Sequence, residues 1–299
     1  DIQVGSNADK KIADMHEKPP LLLANGLHGW AVSPRARFPP LVGIFHGTYS
    51  GLAERAYSIS DPVYWKMNYF LAPMEKKSAR NATLCVANSP FTQRELKSKY
   101  GVESRVIEPP IDEKVFAPVS KSRAQKIQGW SANTKHVLFV GNPTYSKGFD
   151  LFVELARGHP EWTFHGVCQP VPRANETKFP SNLKLYSARP QKELASLYSA
   201  ADALVFPSRY EGFGFVPLEA IACGCRVIAS RVGILNDFSH PHIRVISHSF
   251  HEFERALVET LSSPSTKTIS RAWMKRFSVS TFIKKWKAIA KEIQAEKSK

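Results

Sequence analysis

From residue 136 onward, short apolar runs alternate with amphipathic ones, and that alternation constrains the fold more than any other feature of the chain. "HVLFVG" (136–141), "ALVFPS" (203–208) and "RVIAS" (226–230) are largely apolar runs of strand length, and "WTFHGV" (162–167) and "NLKLYS" (182–187) are strand-length runs in which apolar and polar residues alternate. The continuous runs read as strands buried on both faces, where neither side of the sheet meets water, and the alternating ones as strands with one face less covered. Between them lie helical patterns: "KGFDLFVELARG" (147–158), with Phe149, Phe152 and Leu155 on one face, "PQKELASLYSAA" (190–201) and "VPLEAIACG" (216–224). Strand and helix in strict succession predict a parallel, doubly wound α/β sheet of the Rossmann-like kind.

The first part of the chain repeats the pattern more loosely. "LLLAN" (21–25), "LVGIF" (41–45), "TLCVAN" (83–88) and "RVIE" (105–108) read as strands, and a helical stretch lies around 66–80. "SPFTQRELKSKYG" (89–101) opens on Ser-Pro and closes on Gly, the signals of a capped helix. Residues 117–134 are polar and without clear periodicity, which places a domain boundary near 118. Two Rossmann-like domains are therefore expected, residues 1–118 and 119–280, a division consistent with 299 residues. Residues 281–299 carry Phe282, Trp286, Ile289 and Ile293 at helical spacing, with Lys and Glu on the other face. Such a stripe serves either a helix docked on the protein or a helix lying on a membrane surface.

No apolar run is long enough to cross a bilayer, and no charged-then-apolar leader opens the chain, so a cytoplasmic setting is expected. Cys85, Cys168, Cys223 and Cys225 lack zinc-ligand spacing. Cys223 and Cys225 read as small residues packed at a helix end, and the Asn-x-Thr sequons at Asn81 and Asn175 as chance without a secretory signal. The formal net charge of +15 is concentrated after residue 118, with 26 Lys/Arg against 14 Asp/Glu, compared with 15 against 12 before it. An anionic partner is implied: a phosphate-bearing small molecule, a nucleic acid or an anionic membrane. Nucleic acid would need exposed aromatics among the bases, and Phe139, Phe152 and Phe206 fall in apparent core elements instead, so none is expected.

Open α/β sheets bind ligands at the carboxyl ends of their strands, and two such ends are distinctive. In "VGNPTYSKGFD" (140–150) a strand ends at Gly141 and Lys147-Gly148 opens a helix. Helix-start amides beside a lysine form a site for a diphosphate, although a surface lysine would fit the same pattern. In "FPSRYEGFGFVPLEA" (206–220) a strand ends, glycines let the backbone come close to a ligand, and Glu211 and Glu219 flank the helix start with seven residues between them. Carboxylates accept strong hydrogen bonds from hydroxyls. Two acids at a helix N-terminus also simply favour its dipole.

These segments together resemble the retaining glycosyltransferases of GT-B fold, family 4, also called glycosyl transferases group 1. "FPSRYEGFGFVPLEAIACGCRVIAS" is similar to that family's Glu-x7-Glu region, and "VGNPTYSKGFDLFVELA" to its Gly-Arg-x4-Lys-Gly loop. "NLKLYSARPQKELASLYSAADALVFPS", "ASRVGILNDF", "LVGIFHGT" and "NATLCVANSPFTQRELKSKYGVESRVIEPPIDEKVF" extend the likeness over roughly residues 20–295. The resemblance implies an acceptor-side N-terminal domain and a nucleotide-sugar-binding second domain facing across a cleft. It implies that Glu211 faces the donor sugar, with the Phe213–Phe215 backbone, Gly214 included, against its hydroxyls and phosphate. Glu219 would hold the ribose, Lys147 the diphosphate beside Gly141 and Asn142, and His46 would stand near the reacting sugar. Ala188, Arg189 and Pro190 would line the base pocket.

The activity so implied is transfer of a hexosyl group from a UDP- or GDP-sugar to an acceptor glycan, lipid or small molecule, with retention and without a metal or other cofactor. A sugar-nucleotide epimerase of the same fold and a catalytically weak sugar-nucleotide binder are the alternatives. Peripheral membrane contact stays open. Two positions depart from the family pattern. Asn142 stands where the family has arginine, removing a charge that Arg209 or Arg231 would have to replace. The first domain is short and lacks the glycine-rich loop after its first strand, so it is expected to be incomplete or trimmed.

Overall fold

The computed structural model describes residues 21–32, 39–172, 178–264 and 271–297; the sequon at Asn175 lies outside them. The chain forms two compact α/β units. One comprises residues 1–109, 210–213 and 282–299, the other residues 110–209 and 214–281.

Among the described residues of the first unit, four parallel strands lie in chain order: β1 (Leu22–Asn25), β2 (Leu41–Phe45), β3 (Leu84–Ala87) and β4 (Arg105–Val106). Helix α1 (Tyr49–Ala56) follows β2, capped by the Thr48 hydroxyl, which accepts from the Gly51 amide. The helical stretch expected around 66–80 is α2 (Pro62–Lys66) and α3 (Ala72–Asn81), joined by a π turn over Met67–Leu71. Helix α4 (Pro90–Glu95) begins at the Ser89 cap, runs into a second π turn and stops at Gly101 in the left-handed region (φ 70°).

The polar stretch after residue 117 holds a helix its pattern does not announce, α5 (Lys121–Gln128). The second unit continues as β5 (His136–Val140), α6 (Phe149–Gly158), β6 (Thr163–Val167), β7 (Leu183–Tyr186), α7 (Gln191–Ala200), β8 (Ala203–Phe206), α8 (Phe215–Ala222), β9 (Val227–Ser230), β10 (Ile243–Ile246) and α9 (Phe250–Ser262). The six strands among its described residues are all parallel, in the order β10-β9-β8-β5-β6-β7. Phe139, Phe152, Phe164 and Phe253 interlock in the core between sheet and helices. All four cysteines are buried free thiols, Cys223 and Cys225 among them, and burial pushes their pKa values up.

The final helix, α10 (Val279–Lys297), packs on the first unit from Phe282 onward. Ile289 and Ile293 are buried against Val42, Val86 and Ile107, with Phe282 and Trp286 packed beside them. Arg105 pairs with Glu292 and Lys285 with Glu108 along its flank. The apolar stripe read from the sequence therefore closes a protein core. No described helix is long and apolar enough to cross a membrane.

Candidate functional site

Strand order decides where the second unit opens. From β5 the chain moves outward through β6 to β7, then returns to β8 on the other side of β5. Connections leaving β5 and β8 diverge to opposite faces, and the crevice at their carboxyl ends is the switch point where such sheets bind ligands. Both distinctive sequence stretches emerge there. The loop after β5 and the loop after β8 are tied to each other: the Arg209 amide donates to the Ser146 carbonyl at 2.9 Å. The Arg209 guanidinium grips Asp150 with two bonds of 2.7 and 2.8 Å and lies 3.5 Å from the centre of the Tyr145 ring. Gly148 is left-handed (φ 71°), and a Cβ there would meet the Pro207 carbonyl oxygen at 2.0 Å, so no other residue lets the loops close this far.

Within this crevice Gly141 donates its amide to Val167 at 3.0 Å, and the Asn142 carbonyl accepts from Thr144 at 2.8 Å. Asn142 is exposed. Lys147 ends a 3-10 turn over Tyr145–Lys147 and is half-buried. The charge of Arg209 is already paired with Asp150, so this arginine braces the loop beside Asn142, and Arg231 is exposed. Gly214 caps α8 in the left-handed region (φ 97°) and exposed Phe215 is the first helical residue. Glu219 lies on the second turn. Its Oε2 accepts from the Tyr198 hydroxyl at 2.9 Å, and burial raises its pKa. Ala188, Arg189 and Pro190 form an exposed run at the carboxyl end of edge strand β7, with Arg189 5.8 Å from the Tyr186 ring centre.

Residues 210–213, between Arg209 and the α8 cap, belong to the first unit. The Tyr210 hydroxyl accepts from the Thr48 amide at 2.6 Å and donates to Glu95 Oε2 at 2.6 Å. The Ser89 hydroxyl donates to the Gly212 carbonyl at 2.5 Å, and Phe213 is buried. A Cβ on Gly212 would lie 1.6 Å from the His46 carbonyl oxygen. This glycine, expected from the sequence to let the backbone approach a ligand, makes room for the chain's own backbone. Glu211 sits half-buried in the same segment.

His46 follows β2 at the wall of a cavity of about 290 Å³ within the first unit, and partial burial lowers its pKa. Glu75 lines the cavity too, at 4% exposure. Its Oε2 accepts from the Tyr49 amide at 2.8 Å and the Tyr100 hydroxyl at 2.6 Å, and desolvation pushes its pKa up to about 7. The sequence reading missed Glu75, Glu95, Ser89, Tyr198 and Tyr210. Glu75, Glu95 and Tyr198 lie on helices, Ser89 caps one and Tyr210 lies in the loop after β8, and the partners of Glu75, Ser89, Tyr198 and Tyr210 are distant in sequence, so nothing local announces them.

The chain matches two family models, "Glycosyltransferase Family 4" over residues 10–115 and "Glycosyl transferases group 1" over residues 120–267. Together these matches run over most of the sequence, and the chain belongs to the glycosyl transferases of group 1, with the GT-B architecture. It is 34% identical over 179 residues to D-inositol 3-phosphate glycosyltransferase of Paenarthrobacter aurescens, covering 54% of this chain and 44% of that protein. The enzyme of the same name from Mycolicibacterium smegmatis is 30% identical over 225 residues, 70% of this chain and 50% of that one. The chain thus spans about half the length of the curated relatives it matches. Among solved structures, sucrose-phosphate synthase from Thermosynechococcus elongatus superposes with a TM-score of 0.79 at 22% identity, over 97% of this chain and 77% of that one. Anabaena HepE in complex with UDP and glucose gives 0.70 at 20% identity, over 90% and 77%. At these identities the structural likeness concerns the fold.

Proposed function

We propose that this chain transfers a hexosyl group from a nucleotide-diphosphate sugar to an acceptor hydroxyl with retention of configuration. The observation that carries the reading is the junction of the two loops at the β5/β8 switch point. Lys147 belongs to the loop after β5, and the Gly214–Phe215 start of α8 and Glu219 follow β8, so all of them come from the carboxyl ends of these two strands, which supports the reading. Helix-start amides and Lys147 suit the diphosphate, stabilising charge on the leaving group as the glycosidic bond breaks. Glu219, held by Tyr198, suits the ribose hydroxyls. Glu211 and the backbone of Phe213 and Gly214 serve the donor sugar, and His46 the reacting centre. With Asn142 in the loop, phosphate contacts on that side are neutral hydrogen bonds. A UDP or GDP moiety fits without a metal ion, since amides and lysine carry the neutralisation.

Thermal shift and turnover against a panel of UDP- and GDP-sugars test this reading. One donor is expected to stabilise the wild type, Glu211→Ala and Lys147→Ala to cut turnover by about 100-fold or more, and Tyr198→Phe to weaken donor binding several-fold. A wild type stabilised by no nucleotide sugar sinks the proposal.

A further inference from the structure

The cavity beside His46 has a chemistry of its own. Among the described residues that line it there is no lysine or arginine. Its carboxylate is Glu75, more than nine-tenths buried, and its lining also includes the imidazoles of His28 and His46, which are neutral donors and acceptors at alkaline pH. Both hydrogen bonds to this carboxylate go to Oε2, while Oε1 lies on the Gly26 side of the cavity, 3.6 Å from where a Gly26 Cβ would stand.

The start of α1 is the other feature of the cavity suited to an anion, and it is already engaged. The Thr48 amide donates to Tyr210, the Tyr49 amide to Glu75 and the Gly51 amide to the Thr48 hydroxyl. A second buried carboxylate, Glu95, stands behind Thr48 and Tyr210. The chain's own side chains, a carboxylate and two hydroxyls, thus already hold amides that a phosphate would need.

We propose that this cavity takes the acceptor as an uncharged polyhydroxylated ring, with Glu75 Oε1 accepting from a ring hydroxyl and excluding phosphate-bearing rings. The inference rests on the glycosyltransferase reading for the word acceptor; the selectivity rests on the cavity alone. It separates this chain from relatives whose name specifies D-inositol 3-phosphate. A carboxylate holds a hydroxyl well because the bond is charge-assisted, and it repels a dianion placed against it in a poorly solvated pocket.

The test is direct binding to the full chain at pH 8, where Glu75 is ionised, by saturation-transfer NMR and calorimetry with saturating UDP present. The probes are myo-inositol, methyl α-glucoside and methyl α-mannoside, each beside its phosphate-bearing counterpart: D-inositol 3-phosphate, glucose 6-phosphate and mannose 6-phosphate. At least one neutral ring is expected to bind, with its counterpart weaker by about 100-fold or more. Glu75→Gln, whose amide oxygen still accepts from Tyr49, is expected to weaken the neutral ring about 10-fold. Leu52→Trp fills the cavity from α1 without touching the bonds of Glu75, and is expected to abolish binding. The proposal is overturned if no neutral ring binds, if the phosphates bind as tightly, or if both variants bind like the wild type. A nucleotide-sugar thermal shift on the same samples separates the two readings. Its absence removes the donor site and leaves the cavity result standing by itself.

Discussion

Gly212 shows how much one missing Cβ holds in place. Alanine there drives a methyl group into the His46 carbonyl, and backbone cannot swing aside as a side chain can. Gly212→Ala is expected to lower stability by about 3 kcal/mol, as overpacking does, and to disturb His46 and the cavity. Gly101 is the control: it is left-handed (φ 70°), with nothing within 4 Å of where a Cβ would stand. Gly101→Ala should cost only about 1 kcal/mol for the conformation. Urea denaturation distinguishes the two, and equal losses would refute the steric account. The need for glycine at 212 was legible in the sequence, but its reason was not. A glycine beside two acids looks the same whether it admits a ligand or another stretch of chain, and only the long-range approach to His46 decides it.

At the scale of elements, legibility follows burial. Strands buried on both faces, such as "LVGIF" and "HVLFVG", stand out because nearly every residue is apolar. Helix α5 does not, because only Ala124 and Gln125 of its eight residues are buried and no period emerges. The two π turns were not legible either: each adds one residue to a helical turn and shifts the apolar face without changing composition. Helix α10 lies between these cases, since its stripe was plain and its destination was not. The structure sets that stripe on β2, β3 and the segment after β4, so it should be indispensable to the first unit. Ile289→Ala is expected to cost about 2–4 kcal/mol, the usual loss for a buried aliphatic side chain. Lys287→Ala, at an exposed position of the same helix, should cost well under 1 kcal/mol. A membrane-facing helix would show the reverse: Ile289→Ala would leave urea stability unchanged and reduce vesicle binding.

For the whole molecule, the two units should answer acid in opposite senses. In the first, burial lifts Glu75 to about 7, and Glu95 shifts the same way. The unfolded chain gives up this proton near 4.5, so between pH 4.5 and 7 the folded state holds more protons, and stability rises as pH falls. In the second, His165 is wholly buried between Trp130 and Tyr186, bonded to His136 at 2.9 Å and to the Tyr186 hydroxyl at 3.1 Å. Burial pushes it down to about 3, and His136 is lowered as well. Here the unfolded chain binds the proton first, below 6.5, so stability falls as pH falls. His46 in the first unit and Glu219 in the second work against these trends, which is why differences between variants are the informative quantity. Each shifted group changes stability by about 1.4 kcal/mol per pH unit inside its window. On going from pH 7 to pH 5 the wild type should therefore gain about 2 kcal/mol relative to Glu75→Gln. Relative to His165→Phe, which keeps an aromatic ring against Trp130 and cannot ionise, it should lose about 2 kcal/mol. Urea midpoints at the two pH values give both differences, and variants that track the wild type in parallel would show that neither buried group governs the acid response.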